Sequence, residues 1–279
     1  MASGNNLYNF NITDFCTSTS LTTLSLTFTF SSSSPNQTYI PSCLQNLSKL
    51  TTLSLRMTSS TDTGLAGPID GVNWGAMTSL QSLVLSSGGL SGALPLTWPA
   101  SLTSLSIALM NTTSSLSSLN WSNTTTLSTL SLTNMRGITI GQTPGNAIPS
   151  TITTLAISYR PSIPILYSLT IFALQQYTHL QSLTLQGFLY GALTSNLESM
   201  PNLNFVDFSY NFFNGSLDAI NWGSIPQLKY LLLNSNSFTA FGNAFTNTSS
   251  LQQLYLTGNA KLNGTLPAFL LDSTTFNQM

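Results

Sequence analysis

The dominant pattern along the chain is a short alternation of apolar and polar residues that returns at near-regular intervals. The pattern L-x-x-L-x-L, with some Ile, Val or Phe replacements, begins ten times, at Leu21, Leu50, Leu80, Leu102, Leu127, Ile152, Leu180, Leu203, Leu228 and Leu251. Alternate residues are apolar, as in Leu24-Ser25-Leu26, so each copy predicts a short strand with one buried face. One copy cannot bury its own leucines, and stability must therefore come from stacking consecutive copies into a parallel sheet.

Three copies continue into a longer motif: LQSLVLSSGGLSGALP from Leu80, LNFVDFSYNFFNGSL from Leu203, and LQQLYLTGNAKLNGTLP from Leu251. These segments resemble the plant-type class of the leucine-rich repeat family, and residues 74–95 are also similar to repeats in trypanosomatid surface antigens. The resemblance covers residues 21 to about 270. It implies an α/β solenoid: a curved parallel sheet of about ten coils, whose convex side consists mostly of loops, 3-10 turns and short helices. The family mostly binds other molecules and seldom catalyses reactions.

The resemblance also organises the rest of the chain. We expect residues 1–20 to form an N-terminal cap segment and residues 21–279 to form a single solenoid domain. The asparagine that links coils in the family is present at Asn211, Asn236 and Asn259, whereas several earlier copies carry Ser, Thr or Gly there. The earlier coils should therefore be less regular. The copies that begin at residues 21, 50 and 152 are long, which predicts loops at 31–35, 58–61 and 160–164. Residues 166–177 suit one short helix.

A second internal motif is Asn-Trp, placed six residues before a strand leucine at Asn73-Trp74, Asn120-Trp121 and Asn221-Trp222. The first interpretation is that each Trp packs at the edge of its coil and donates its indole N–H to a carbonyl. The alternative is a site of exposed aromatic contacts.

Composition narrows the possible functions. Only 5% of the residues are charged, and six Lys and Arg residues cannot supply the basic surface of a nucleic-acid binder. Hydroxyls and attached sugars must then keep the surface hydrated, which favours a secreted or cell-surface glycoprotein. Candidate N-glycosylation sites occur at Asn11, Asn36, Asn46, Asn111, Asn120, Asn123, Asn214, Asn247 and Asn263. No secretory signal opens the numbered chain, and the apolar stretch at 163–174 is too short to span a bilayer.

Two cysteines, Cys16 and Cys43, lie near the N-terminus. In an oxidising compartment they are expected to pair and link the first turns of the fold. The alternative is a pair of buried free thiols.

Catalytic signatures are missing from the sequence. The single histidine, His179, directly precedes a strand leucine, and the only glutamate is Glu198. Neither belongs to a recognisable nucleophilic, carboxylate or metal-binding arrangement. The sequence therefore predicts a protein that is not an enzyme and that uses no cofactor or metal.

The outward residues of each strand can be identified because side chains alternate between the two faces of a sheet. The first seven strands present mostly Ser and Thr, and the last three change character. The candidate binding patch consists of Phe205, Asp207, Tyr230, Leu232, Gln253 and Tyr255. Exposed aromatic residues of this kind mark an interaction site, unless a later segment of the parent chain covers them.

Two functions compete. The first, which the sequence favours, is structural: a chain whose solenoids self-associate through protein–protein contacts into a surface filament or coat. The second is a receptor-like or adhesin-like module that binds a peptide or glycan on the concave face. Ice binding by columns of Ser and Thr is a third possibility, but copies of 22 to 30 residues do not produce regular columns.

Overall fold

The computed structural model describes residues 2–5, 11–28, 38–57, 64–112, 114–139, 148–159, 166–169 and 174–264. The described residues form two compact units, one containing those up to Thr151 and the other those from Ile152 onward. The predicted loops at 31–35, 58–61 and 160–164 lie outside the described residues.

Nine strands of the first unit are described, and they belong to two parallel sheets. They are β1 (Ala2–Asn5), β2 (Thr23–Phe28), β3 (Thr38–Tyr39), β4 (Thr52–Met57), β5 (Leu65–Pro68), β6 (Ser82–Ser86), β7 (Gly89–Ser91), β8 (Ser104–Ala108) and β9 (Thr129–Met135). The main sheet has the order β1-β2-β4-β6-β8-β9, and the small sheet has the order β3-β5-β7. Short 3-10 helices follow the strands at Ile12–Phe15, Ser42–Asn46, Trp74–Ala76 and Leu116–Ser118.

The second unit repeats this plan with nine further described strands. They are β10 (Thr154–Tyr159), β11 (Tyr167–Ser168), β12 (Ser182–Gln186), β13 (Leu189–Gly191), β14 (Phe205–Asp207), β15 (Phe212–Ser216), β16 (Tyr230–Leu232), β17 (Ser237–Ala240) and β18 (Gln253–Tyr255). The main sheet runs β10-β12-β14-β16-β18, and the small sheet runs β11-β13-β15-β17. The 3-10 helices are Leu174–Gln176, Ser195–Ser199, Leu217–Ala219 and Trp222–Ser224.

All ten predicted strands form, and each begins two residues after the first leucine of its motif, as β6 does after Leu80. The alternation is visible in burial: Leu83 and Leu85 of β6 are fully buried, whereas Ser82, Val84 and Ser86 are half-buried on the other face. Strand pairing is parallel and in register, which places each leucine on the corresponding leucine of the next coil. The predicted repeating parallel architecture is confirmed.

The single short helix expected over residues 166–177 is wrong. Tyr167 and Ser168 form β11, which pairs in parallel with β13, and a separate 3-10 helix occupies Leu174–Gln176. The physical reason is pairing between coils: the backbone at this position finds hydrogen-bond partners in the next coil, so a helix is not needed to satisfy it. In addition, β1 lies beside β2, in a segment for which the sequence predicted only a cap.

Buried amides join the coils of the second unit. The Oδ1 atom of Asn211 accepts hydrogen bonds from the backbone N–H groups of Phe188 (3.1 Å) and Leu189 (3.0 Å), and its Nδ2 donates to the carbonyls of Leu185 (2.7 Å) and Phe208 (2.9 Å). Corresponding bonds are made by Asn236 and Asn259. These backbone groups are buried, so the amides prevent a desolvation cost that would otherwise destabilise each coil.

The described coils of the first unit have other residues at the position of these asparagines. The positions that correspond to the asparagines are the fully buried Met110 and Met135 in the coils of β8 and β9. In the coil of β6 the corresponding residue is Gly88, and the buried hydroxyl of the preceding Ser87 donates to the carbonyl of Leu65 (2.6 Å) and accepts from the N–H of Gly89 (3.2 Å). Thus no asparagine occupies these three described positions of the first unit. In the second unit, the coil of β12 also has an apolar residue here, the fully buried Phe188.

Candidate binding surface

The predicted patch residues lie in two adjoining rows on the main sheet of the second unit. Strand register places Phe205 beside Tyr230, and Tyr230 beside Gln253. On the next row, Asp207 lies beside Leu232, and Leu232 lies beside Tyr255. The structure therefore brings together the six residues that the sequence selected.

Four of these side chains are apolar or aromatic and half-buried: Phe205, Tyr230, Leu232 and Tyr255, here called the aromatic patch. The ring centroids of Phe205 and Tyr230 are 6.3 Å apart with the ring planes tilted by 46°, within the range of favourable aromatic pairs. The hydroxyl of Tyr255 donates to Oε1 of the exposed Gln253 at 3.3 Å. The aromatic patch thus offers apolar surface with amide and hydroxyl groups at its margin.

Asp207 was expected to be an exposed contact residue of the patch, but its side chain is only 9% exposed. Nε2 of Gln186, on the neighbouring β12, donates to Oδ2 of Asp207 at 2.8 Å, and the backbone N–H of Ser209 donates to Oδ1 at 2.9 Å. The hydroxyl of Ser209 also donates to Oδ1. These neutral donors hold the carboxylate in one orientation beside Leu232. Asp207 is therefore a fixed polar group under the row, and not an exposed contact.

Near the N-terminus, the structure joins Cys16 and Cys43 in a disulfide, with Cα atoms 5.6 Å apart. Cys16 ends the 3-10 helix Ile12–Phe15 as its C-cap, and Cys43 lies in the 3-10 helix Ser42–Asn46. The bond therefore links two consecutive coils on the side opposite the repeat strands.

Solved structures with this architecture come from plants and bacteria. The chain superposes on the leucine-rich-repeat ectodomain of the Arabidopsis thaliana receptor kinase GASSHO1/SCHENGEN3, solved with CASPARIAN STRIP INTEGRITY FACTOR 2, with a TM-score of 0.61 and 22% identity, covering 95% of this chain and 33% of that one. The Arabidopsis receptor kinase HAESA, in complex with the peptide hormone IDA and the co-receptor SERK1, superposes with a TM-score of 0.59 and 20% identity, covering 95% of this chain and 46% of that one. An internalin of Listeria monocytogenes superposes with a TM-score of 0.52 and 21% identity, covering 86% of this chain and 74% of that one.

This is a leucine-rich-repeat fold. At 20–22% identity the likeness shows the fold alone, and the chain spans less than half the length of the two plant proteins. No protein-family model and no curated protein matches the sequence.

The Asn-Trp motif has two outcomes within the leucine-rich-repeat fold. All three tryptophans are buried. The indole N–H of Trp74 donates to the carbonyl of Ile69 at 2.8 Å, and that of Trp222 donates to the carbonyl of Leu217 at 3.2 Å, which confirms edge packing with a carbonyl partner. Among the described residues, the N–H of Trp121 has no acceptor, and its ring instead stacks on Trp98, with centroids 6.1 Å apart and planes 8° from parallel.

The only histidine and the only glutamate of the sequence both lie in the described residues. His179 is exposed in the turn before Leu180, and Oε1 of Glu198 accepts a hydrogen bond from the backbone N–H of Asn221 at 2.8 Å. Burial raises the pKa of Tyr177 to about 12, so this phenol stays neutral at physiological pH. Within the described ranges, no three His, Cys, Asp or Glu side chains form a group that would hold a metal ion, and no helix is long and apolar enough to cross a membrane.

A second exposed aromatic surface was missed by the sequence analysis. It consists of Tyr190 on β13, Tyr210, and Phe212 on β15, here called the small-sheet surface. Tyr190 and Phe212 are register partners, each 47% exposed, and Tyr210 is 63% exposed. The available signal was the pair Phe212-Phe213: Phe213 is buried and stacks on Phe238, so its neighbour must point outward.

Proposed function

We propose that this leucine-rich-repeat chain is a non-catalytic extracellular module that binds a peptide or protein segment on the aromatic patch. The observation that carries the proposal is the arrangement of four half-buried apolar side chains in two adjoining rows, beside the fixed carboxylate of Asp207. Aromatic side chains contribute much of the energy of protein interfaces, and a row of outward side chains on a parallel sheet can contact an extended segment. The solved complex of the structurally similar HAESA ectodomain with the peptide hormone IDA supports this choice of ligand.

Three features support the extracellular location. Two coils are linked by a disulfide, a bond that persists in oxidising compartments. Eight of the nine candidate glycosylation asparagines lie in the described residues, and all eight are exposed: Asn11, Asn46, Asn111, Asn120, Asn123, Asn214, Asn247 and Asn263. Asn36 lies outside the described residues. The low charge content is compatible with a surface hydrated by hydroxyls and attached glycans.

The test is a selection of binders from a random-peptide display library, followed by affinity measurements on matched variants. Tyr230→Ala and Tyr255→Ala should each weaken the binding of the selected peptide by about thirtyfold or more, because aromatic hot spots contribute about 2 kcal/mol or more. Thr129→Ala and Ser131→Ala change the corresponding repeat positions of the first unit and should leave the affinity unchanged. Equal losses in both pairs, or a library without any binder, would contradict the proposal.

A second candidate function is self-association into a filament or coat, and the small-sheet surface favours it. Two of its aromatic residues, Tyr190 and Phe212, are about half exposed and adjacent, which is costly unless they contact another molecule. Light scattering and negative-stain microscopy of the unaltered chain should show oligomers. The oligomers should be absent in the double variant Tyr190→Ser/Phe212→Ser and should remain in the variant Tyr230→Ala. A monomer at all concentrations would exclude this candidate.

A further inference from the structure

A cleft of about 640 Å³ opens on the first unit, on the side where the 3-10 helices lie. Three consecutive coils form it. Its lining includes Asn73 and Thr78 from the coil before β6, Thr97 and Trp98 from the coil before β8, and Asn123 and Thr125 from the coil before β9. The volume lies within the range of sites that hold small organic ligands.

The cleft has a simple origin in the repeat. The copy that begins at Leu80 is only 22 residues long, the shortest of the series. The coil before it contributes Gly75 and Ala76 of the 3-10 helix Trp74–Ala76 to the lining, whereas the described residues between β7 and β8 contain no such helix. A shorter coil between two longer ones leaves space that its own side chains do not fill.

The chemistry of the lining suits an uncharged, polyhydroxylated ligand. None of the lining residues is ionisable, and most present amide or hydroxyl groups that donate and accept hydrogen bonds. Trp98 lies at the floor of the cleft, where it is only 2% exposed and its ring stacks on that of Trp121. Among the described residues, the buried indole N–H of Trp98 has no acceptor. A saccharide, whose hydroxyls both donate and accept hydrogen bonds, matches the neutral polar lining above this floor.

The source of the saccharide is indicated by the cleft itself. Asn123, an exposed residue in the lining, is the acceptor asparagine of the sequon Asn123-Thr124-Thr125, and Thr125 lines the same cleft. We propose that Asn123 carries an N-linked glycan whose first sugars pack in this cleft against its amide and hydroxyl side chains. The inference rests on the proposed extracellular location, since only a chain that passes through the secretory pathway acquires such a glycan.

The experiment measures the occupancy and the protection of individual sites. The chain is secreted from a eukaryotic cell, and glycopeptide mass spectrometry gives the occupancy of each sequon. The native protein is then treated with a peptide:N-glycosidase, and the release of each glycan is followed over time. The glycan at Asn123 should be released about tenfold or more slowly than the glycan at the exposed Asn214, which is absent from the cleft lining, and denaturation should remove the difference.

Variants and a free sugar separate the outcomes. Asn123→Gln should lower the melting temperature of the secreted protein, whereas the matched variant Asn214→Gln should not. An empty Asn123 beside an occupied Asn214, or equal release rates at the two sites, would overturn the cleft proposal alone. If no sequon is occupied, the proposed extracellular glycoprotein fails as well. Binding of N,N′-diacetylchitobiose to a secreted chain with an empty Asn123 would assign the cleft to an external saccharide and overturn the attached-glycan proposal.

Discussion

The two units build the same strands from the same motif but differ at two positions of the repeat. At the position eight residues after the first leucine of the motif, here called the coil junction, the last three coils of the second unit have the buried amides of Asn211, Asn236 and Asn259. Met110 and Met135 of the first unit are buried and apolar there, as is Phe188 in the coil of β12. On the outward face, the second unit presents the aromatic patch, whereas the described strands of the first present mainly Ser and Thr. The leucines alone therefore determine the topology, and the intervening positions are free to determine rigidity and recognition.

The largest expected effect on stability is at the coil junctions. In Asn236→Leu, the buried N–H of Phe213 loses its acceptor, whereas the carbonyls of Phe208 and Leu233 lose one donor each and keep the amides of Asn211 and Asn259. We expect the free energy of unfolding to fall by about 3 kcal/mol, because one buried N–H is left unsatisfied and two further hydrogen bonds are lost. Met135→Leu, at the same repeat position in the first unit, should cost about 1 kcal/mol, as expected for an apolar replacement of similar volume. Urea unfolding followed by circular dichroism measures both values, and equal costs would remove the distinction between the junctions.

A smaller effect is expected at the tryptophans of the Asn-Trp motif. Trp222→Phe removes the hydrogen bond to the carbonyl of Leu217 and should cost about 2 kcal/mol from the lost bond and the lost volume. Trp121→Phe removes an N–H that has no acceptor in the described part of the chain, and the cost should be about 1 kcal/mol lower. The same unfolding experiment decides this point. A larger loss in Trp121→Phe than in Trp222→Phe would show that the Trp121 N–H has a partner in solution.

The smallest effect concerns the residue just before the junction position, which has a left-handed backbone in both units. Tyr210 has φ 58° in the second unit, and Asn134 has φ 51° in the first. Tyr210→Gly should stabilise the chain by about 0.5 kcal/mol, because glycine adopts this conformation without the steric cost that tyrosine pays. Asn134→Gly should change the stability less, since asparagine tolerates positive φ. Thermal unfolding measures both variants, and a destabilised Tyr210→Gly would indicate that the Tyr210 side chain contributes contacts in solution.

Most of the main sheet was predictable because its signal is local. Two buried leucines separated by one polar residue identify each strand without knowledge of its neighbours, and the same alternation identifies Phe205, Tyr230 and Tyr255 as outward residues. The buried asparagines were predictable from the family motif.

Features that depend on adjacent coils were not predictable. The small sheets consist of strands of two to five residues, such as Gly89–Ser91, whose pairing exists only after the coils stack. The burial of Asp207 depends on Gln186, which is supplied by the preceding coil. The cleft beside Trp98 results from a difference in length between neighbouring copies, which no single copy reveals.

The central claim, that ligand binds the aromatic patch, is tested most directly by hydroxyl-radical footprinting of the native chain with a peptide selected from the display library. Phe205, Tyr230 and Tyr255 should become protected when the peptide is bound, whereas Tyr190, Tyr210 and Phe212 of the small-sheet surface should keep their reactivity and serve as internal controls. Protection of the small-sheet surface with unchanged oxidation of Tyr230 and Tyr255 would contradict the account.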